Sequence, residues 1–328
     1  MVRIVDADIL DISSGRPPLP AAREGRPVPA ADGSAFPAWA RLRSVPDNSA
    51  EALFMAGAAL SALHSVALDE RPPWQLWRRR LALTNAAAVV RLQGRREREA
   101  ELRDAWCLRR PGDDPGPAGR LLGAWRALGT RAALVPGQWS ATYSRPLEQP
   151  QEGFGALFEE VGRSIREAEN PVAAAAGAVT IAMRQKPEAE SLALWLADAV
   201  LAIRLKWPAP VPLIATQVRR SDLRTAASDG GEWLRICAAA YARAGAEAFD
   251  LHTDLVRRAG KLAAVAPKLR AKEALGLVSA LLSEDALAAG SATGKTTARS
   301  GRRFFDRLVS LGVVRELTGR PAFRLYGL

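Results

Sequence analysis

The chain has few of the residues that bind metals or form disulfides. Among its 328 residues are two cysteines, Cys107 and Cys237, and two histidines, His64 and His252. No Cys/His cluster has the spacing of a zinc site, so we expect neither a bound metal nor another cofactor. Two thiols so far apart in sequence predict a reducing compartment, two buried side chains and no disulfide.

A long apolar run is also lacking. The longest apolar stretch, residues 171–183, is too short to cross a bilayer. At the N-terminus, "MVRIVDADILD" has acidic residues where a secretion signal would carry its apolar core. These absences predict a cytoplasmic protein that makes no contact with a membrane.

Strand-like alternation of apolar and polar residues is almost absent before residue 310. Apolar residues instead recur every three or four positions, which is the period of a helix with one buried face. In "NSAEALFMAGAALSALHSVAL", for example, Asn48 or Ser49 can cap a helix in which Leu53 and Ala56 begin an apolar stripe. The protein is therefore expected to be mainly α, with a multi-helix bundle as its body.

Proline and glycine suggest where the chain divides. Residues 1–46 hold seven of the 22 prolines, which predicts an extended lead-in, with a Pro-rich docking segment as the alternative. Residues 47–267 form the predicted all-α body, and a break near 207–231 could divide that body in two. Residues 268–328 are predicted to fold as a winged helix-turn-helix.

Residues 289–296, "AGSATGKT", nearly match a phosphate-binding loop through Ala289, Gly294, Lys295 and Thr296. Such a loop needs a buried strand before it, so that the next helix directs its N–H groups at the phosphates. The preceding "ALGLVSALLSEDALAAG" has helical spacing instead. No apolar strand in the body supplies an acidic residue for the metal either. The sequence thus favours a flexible turn over a nucleotide site.

The same region fits a helix-turn-helix followed by a hairpin. Residues 272–284 and 285–290 are predicted as its first two helices, and "ARSGRRFFDRLVSLG" as a third with one apolar face. Gly312 can end this third helix in a left-handed conformation. The sequence "VVREL-TGR-PAFRLYGL" then predicts two strands around a Thr-Gly-Arg turn, which would form a small β-hairpin wing.

Positive charge is concentrated in this region. The whole chain has a formal charge of +11, and residues 268–328 contain 11 basic and five acidic residues, an excess of six. Because a GC-rich genome also produces an Arg-rich chain, the clustering is more informative than the total. Contact with double-stranded DNA is favoured over a merely solvated helix face, and the predicted contact residues are Lys295, Thr297, Arg299, Ser300, Arg302, Arg303, Arg320 and Arg324.

Three stretches of the sequence resemble two known bacterial families. "GRRFFDRLVSLGVVRELTGRPAFRLYGL" resembles the C-terminal winged helix attached to Fic-type and related bacterial proteins, although "GSATGKTTARS" is a longer turn than a compact helix-turn-helix uses. The Fic active-site motif is absent, so adenylylation is not implied. "ELRDAWCLRRPGDDPGPAGRLLGAWRAL" and "APKLRAKEALGLVSALLSEDAL" resemble an uncharacterised bacterial family of unknown function, often plasmid-borne, that spans nearly the whole chain.

These features predict a DNA-binding protein, either a regulator or a plasmid or chromosome maintenance factor. The helical body would supply a homodimer contact or a surface for a protein partner. The main alternative is a protein-interaction scaffold whose winged helix binds protein. An enzyme is not expected, because neither His64 nor His252 has a paired nucleophile.

The remaining polar and aromatic candidates receive simpler interpretations. Asp113 and Asp114 lie in "RPGDDPGPAGR", where acidic residues before proline and glycine are typical of a turn. Trp39 and Trp139 lie in predicted loops and are the better candidates for contacts with a partner.

Overall fold

The computed structural model describes residues 35–110, 112–148, 153–269, 274–290 and 298–328. Ala35–Leu328 is one compact unit. Most of the predicted lead-in lies outside the described residues, and the predicted segment boundaries stay predictions. The described chain is mainly helical with a small C-terminal sheet, as the sequence predicted.

Ten α-helices form the body in the described residues. They are α1 (Ser49–Leu68), α2 (Trp74–Leu92), α3 (Glu99–Cys107), α4 (Gly116–Leu128), α5 (Trp139–Leu147), α6 (Gly155–Glu167), α7 (Pro171–Gln185), α8 (Glu190–Leu205), α9 (Arg220–Ser228) and α10 (Gly230–Val265). The C-terminal segment, residues 274–328, adds α11 (Ala274–Leu281) and α12 (Ala298–Ser310).

Side-chain caps fix the start of several helices. The Asn48 side chain accepts a hydrogen bond from the Glu51 amide at 2.8 Å, and Asn170 accepts one from the Ala173 amide at 2.9 Å. Each bond satisfies an amide that has no partner within its helix. Of the two predicted caps for α1, the structure uses Asn48 rather than Ser49.

α8 is the central helix of the body, because every residue from Glu190 to Ala202 is buried. α7 packs along α8, and α1 packs along α10. Alanine supplies much of both contacts, which lets the helix backbones approach closely.

Several buried tryptophans are hydrogen-bonded within the body. The Trp195 indole donates to the Ala124 carbonyl at 3.0 Å, so that α8 is joined to α4. The prediction that Trp139 is available to a partner is wrong, because Trp139 begins α5, is fully buried and donates to the Ala133 carbonyl. Trp39, by contrast, is 65% exposed.

The Pro-rich stretch 207–213 is largely buried in the body. Asp198 of α8 is fully buried and accepts hydrogen bonds from the Leu213 amide at 2.7 Å, the Ile214 amide at 3.3 Å and the Tyr241 hydroxyl at 3.1 Å. Burial raises the pKa of Asp198 to about 7. This carboxyl group therefore ties the stretch to both α8 and α10.

Three short strands form an antiparallel sheet in the C-terminal segment. They are β1 (Leu287–Ala288), β2 (Arg315–Glu316) and β3 (Leu325–Gly327), in the order β1-β3-β2. The prediction of a helix over 285–290 is wrong, because this stretch contains β1. Two residues are too few to show the alternation that distinguishes a strand from a helix.

The end of α12 and its contact with the sheet follow from local features. Gly312, with a φ of +67°, ends the helix in the left-handed conformation that the sequence predicted. The Phe305 ring stacks on Tyr326 of β3 with 4.5 Å between ring centroids. Both side chains are fully buried, so this pair joins α12 to the central strand.

Among the described helices, α1 is the one long and apolar enough to cross a membrane by length and composition. The expectation that residues 171–183 are the longest apolar run needs correction, because residues 52–68 contain no Asp, Glu, Lys or Arg. Serine, glycine and histidine interrupt α1 and conceal this property in the sequence. One face of α1 is buried against α10.

Candidate nucleic-acid interface

α12 has one apolar face and one face that carries guanidinium groups. Phe305 and Leu308 are fully buried, whereas Arg302, Arg303 and Arg307 are exposed. Residues three or four positions apart share a helix face, so the three arginines lie on one side of the helix. We call Arg302, Arg303 and Arg307 the basic strip.

The first turn of α12 lies directly against β1. A Cβ atom at Gly301 would approach the Ala289 carbonyl oxygen to 2.2 Å, so this contact requires glycine. The close approach fixes the position at which Arg302 and Arg303 leave the protein surface.

The guanidinium groups of the basic strip make no ion pair or hydrogen bond with any residue that the structure describes. Each therefore keeps its five N–H donors for an external acceptor. Asp306, which lies between Arg302 and Arg307 on the same face, is the one acidic residue of α12. The strip retains a net positive charge.

The two arginines of the predicted wing bind within the protein. Arg320 pairs with Asp104 of α3 at 2.7 Å and donates to the Phe323 carbonyl at 3.1 Å. Arg324 donates to the Arg320 carbonyl at 3.1 Å and lies 3.9 Å from the Glu316 carboxylate. Both residues hold the segment between β2 and β3 in place, and their DNA contacts stay predictions.

Phe323 is presented to solvent by an uncommon backbone conformation. It is 73% exposed and has a φ of +54°, in the left-handed region that non-glycine residues rarely adopt. The hydrogen bonds from Arg320 to its carbonyl hold this conformation. A large apolar side chain held outward in this way is a candidate contact for a partner.

A cavity of about 450 Å³ lies between α12 and the segment that connects β2 to β3. Arg302 and Asp306 line it from the helix, Phe323 and Arg324 from the connecting segment, and Cys107 from α3. Arg302 of the basic strip and the exposed Phe323 ring thus border one common groove.

A buried carboxylate holds the C-terminal segment on the body. The Asp285 side chain is 6% exposed and accepts hydrogen bonds from Arg80 of α2 and from Arg103 of α3, the latter at 2.6 Å. Arg80 also donates to the Leu328 carbonyl at 3.3 Å. These bonds join the residues next to β1 and β3 to two helices of the body.

Glu284 adds a second set of ion pairs beside Asp285. It binds Arg79 of α2 and Arg126 of α4, the latter at 3.0 Å. Burial lowers the pKa of Arg79. The resulting group, which we call the clamp, consists of Glu284, Asp285, Arg79, Arg80, Arg103 and Arg126.

The predicted DNA-contact residues have different positions in the structure. Lys295, Thr297 and the side chain of Arg299 lie outside the described residues. Ser300 is exposed beside the basic strip. The prediction omitted Arg307 and Phe323; the four-residue spacing from Arg303 indicates Arg307, whereas no sequence signal distinguishes an exposed Phe323 from a buried one.

Asp113 and Asp114 have the structural role in a turn that the sequence predicted for them. Asp114 accepts from the Gly116 amide at 2.8 Å and pairs with Arg120 at 2.6 Å. Asp113 accepts from the Arg110 amide at 3.1 Å. Within the described ranges, no group of three or more His, Cys, Asp or Glu side chains could hold a metal ion.

Both thiols are free, as predicted. Cys237 is buried, but the expectation of a fully buried Cys107 is wrong, because that residue is half-buried at the groove. Burial still raises the pKa of Cys107 to about 12, so its thiol is neutral near pH 7.

A family model described as "Protein of unknown function (DUF1403)" matches residues 29–328. The chain belongs to this family. The match covers both the body and the C-terminal segment of this DUF1403 chain, and it confirms the predicted membership of a family of unknown function over nearly the whole length. No curated protein matches this DUF1403 chain.

Proposed function

We propose that this protein binds duplex DNA through the basic strip and the wing. Within the proposal, the C-terminal segment is a winged helix and α12 is its recognition helix. A role as a regulator or as a plasmid or chromosome maintenance factor would follow from this activity. The body would carry the contact to a second copy or to a protein partner.

The order of elements supports a winged helix. The helices α11 and α12 precede a hairpin of β2 and β3, and β1 completes the sheet on the other side of β3. A recognition helix places its N-terminal residues at base edges in the major groove. Arg302 and Arg303 lie in the first two turns of α12, as that geometry requires.

The unpaired state of the basic strip is the observation that carries the proposal. The other acidic residues of the described C-terminal segment have partners: Glu284 and Asp285 belong to the clamp, and Glu316 lies beside Arg324. Asp306 is thus the one acidic side chain of this described segment that is left to offset the three charges of the strip, which keeps a net positive charge. DNA phosphates and guanine edges accept the hydrogen bonds that guanidinium groups donate.

The double variant Arg302→Ala/Arg303→Ala tests the proposal. Its affinity for a labelled duplex, measured by fluorescence anisotropy at several salt concentrations, is expected to fall by at least about tenfold, since each contact contributes about 1–3 kcal/mol. The slope of log K against log salt is expected to become shallower by about two, because two phosphate-neutralising charges are lost.

The variant Arg163→Ala/Arg166→Ala is the matched control. Both residues are exposed on α6, and their replacement removes the same charge from a surface of the body. Equal affinities of the two double variants would contradict the proposal, as would a wild-type protein that binds no duplex at low salt.

Phe323→Ala tests the wing separately. Loss of an exposed aromatic contact is expected to weaken DNA binding about three- to tenfold and to leave the salt slope unchanged, because no charge is removed. A changed salt slope, or unchanged affinity, in the same anisotropy titration would exclude Phe323 from the interface.

A protein partner for the winged helix is the second candidate function. The exposed apolar side chains Val309, Leu311 and Phe323 favour it. A stoichiometric partner that copurifies with the wild-type protein but not with Phe323→Ala, together with absent DNA binding, would support this function instead.

A further inference from the structure

We propose that a cavity in the body binds the phosphate group of a small molecule. The cavity lies beside the first turns of α2 and the end of α4, and its volume is about 300 Å³. This volume is at the lower end of the range for small-molecule sites. The residues that line the cavity belong to the body, so the proposal does not depend on DNA binding.

Arg78 of α2 lines the cavity and carries a buried charge that no carboxylate of the described chain neutralises by direct contact. The residue is 3% exposed. Its Nη2 donates to the Ala67 carbonyl at 3.0 Å and to the Ala209 carbonyl at 3.5 Å. Its Nε and Nη1 have no hydrogen-bond partner among the residues that the structure describes. Because a buried charge without a counter-ion is costly, an anion in the adjoining cavity would stabilise this part of the body.

The charge of Arg78 persists at neutral pH. Burial lowers the pKa of Arg78 to about 10, and the Glu70 carboxylate offsets part of this change, so the guanidinium is protonated near pH 7. The Trp74 and Trp77 ring centroids lie 5.2 Å and 5.5 Å from the guanidinium carbon and attract it weakly. Aromatic rings carry no net charge, so they do not replace an anion.

Three more arginines line the same cavity. Arg79 and Arg126 bind Glu284, and Arg131 pairs with Glu70 at 3.0 Å. These two carboxylates leave the four arginines with an excess of two positive charges, which a phosphate dianion would match. Burial and, after it, the charge of Arg126 lower the pKa of Arg79, so the two guanidinium groups are close enough to repel each other.

The start of α2 adds backbone donors beside these side chains. No side chain caps this helix, and its first turn has no acidic residue. Trp74 and Gln75 of that turn line the cavity. The first amides of a helix lack partners within it, and the positive end of the helix dipole favours an anion. The unpaired charge of Arg78 lies one turn further along the same helix and acts in the same direction.

The arrangement of donors favours phosphate over carboxylate. They come from α2, from α4 and from Arg131 in the segment that follows α4. A phosphate group offers acceptor oxygens in several directions, whereas the two oxygens of a carboxylate lie in one plane. Phosphate can therefore accept hydrogen bonds from all three elements at once.

Isothermal titration calorimetry with inorganic phosphate and with glycerol phosphate tests the proposal at constant ionic strength. The wild-type protein is expected to bind at least one of these probes at one site per chain, with a Kd below about 1 mM. Tighter binding of glycerol phosphate would identify an organic phosphate as the ligand, and tighter binding of inorganic phosphate would identify the free ion.

Arg131→Gln and Glu70→Gln have opposite expected effects. The two side chains are 75% and 45% exposed, so both variants should fold. Arg131→Gln is expected to weaken phosphate binding about threefold and Glu70→Gln to strengthen it about threefold, because the first removes a cation and the second a carboxylate from the cavity wall.

Arg257→Gln is the matched control. Arg257 pairs with Asp254 on α10 and is 66% exposed, much as Arg131 pairs with Glu70. Its replacement removes the same charge from another surface and should leave phosphate affinity unchanged. Arg78→Met is expected to abolish phosphate binding; if this variant does not fold, Arg131→Gln and Glu70→Gln decide the question.

Two results would overturn the proposal. The first is a wild-type protein that binds neither probe at millimolar concentration; if Arg131→Gln then also binds duplex DNA more weakly than Arg257→Gln, the arginines belong to a DNA interface instead. The second is equal phosphate affinity of Arg131→Gln, Glu70→Gln and Arg257→Gln, because phosphate would then bind elsewhere.

Discussion

Replacement of Asp198 by alanine is expected to lower the free energy of unfolding by about 3–5 kcal/mol. The variant would leave the Leu213 and Ile214 amides and the Tyr241 hydroxyl without their buried acceptor. Each unsatisfied buried donor costs about 1–3 kcal/mol. Urea unfolding followed by tryptophan fluorescence measures the loss.

Tyr241→Phe provides the control, because it removes one donor and leaves the two amide bonds of Asp198 in place. Its expected loss is about 1 kcal/mol. If Asp198→Ala unfolds at the same urea concentration as Tyr241→Phe, the carboxyl group does not hold the stretch 207–213 in the body.

Asp198 also gives the protein a specific pH dependence. Its pKa rises from 3.8 to about 7 on folding because the group is buried, so between these values the folded chain keeps a proton that the unfolded chain has lost. The stabilisation from this group is full below pH 3.8 and falls as the pH rises to about 7. With about 1.4 kcal/mol per pKa unit, the fall amounts to a few kcal/mol. Asp198→Asn cannot titrate and should flatten this part of the stability profile, whereas Tyr241→Phe should retain it.

Asp285→Ala is expected to release the C-terminal segment from the body. The Arg80 and Arg103 side chains are 16% and 12% exposed, and removal of one partner from a buried ion pair costs about 3–5 kcal/mol. Hydrogen exchange should show lost protection in α12 and β3 before the body opens.

The exposed pair between Arg41 and Asp250 supplies the comparison for this variant. Their side chains are 43% and 49% exposed, so Asp250→Ala is expected to cost less than about 1 kcal/mol. Equal exchange rates in α12 for the two variants would show that the clamp does not hold the segment.

Local signals predicted the parts of the fold that depend on neighbouring residues. Asn48 caps α1 and Gly312 ends α12 because the relevant hydrogen bonds and dihedral angles involve only a few adjacent positions. Helical periodicity likewise predicted that Arg302 and Arg303 are exposed.

Features that depend on distant contacts were not predictable. Asp285 lies 205 residues from Arg80, and no periodicity links the two positions. Trp139 was assigned to a surface loop because its burial depends on packing that pairs its ring with Phe158. β1 exists because β3 pairs with it, and two residues have no strand pattern of their own.

The order of the strands has a consequence for how the protein is made. β3 is the middle strand of the sheet and is also the last of the three to be synthesised. While residues 325–327 remain inside the ribosome, neither β1 nor β2 has a partner, and Phe305 lacks the Tyr326 ring on which it stacks. The helical body can therefore fold during translation, whereas the sheet that packs against α12 can form only after residues 325–327 have left the ribosome.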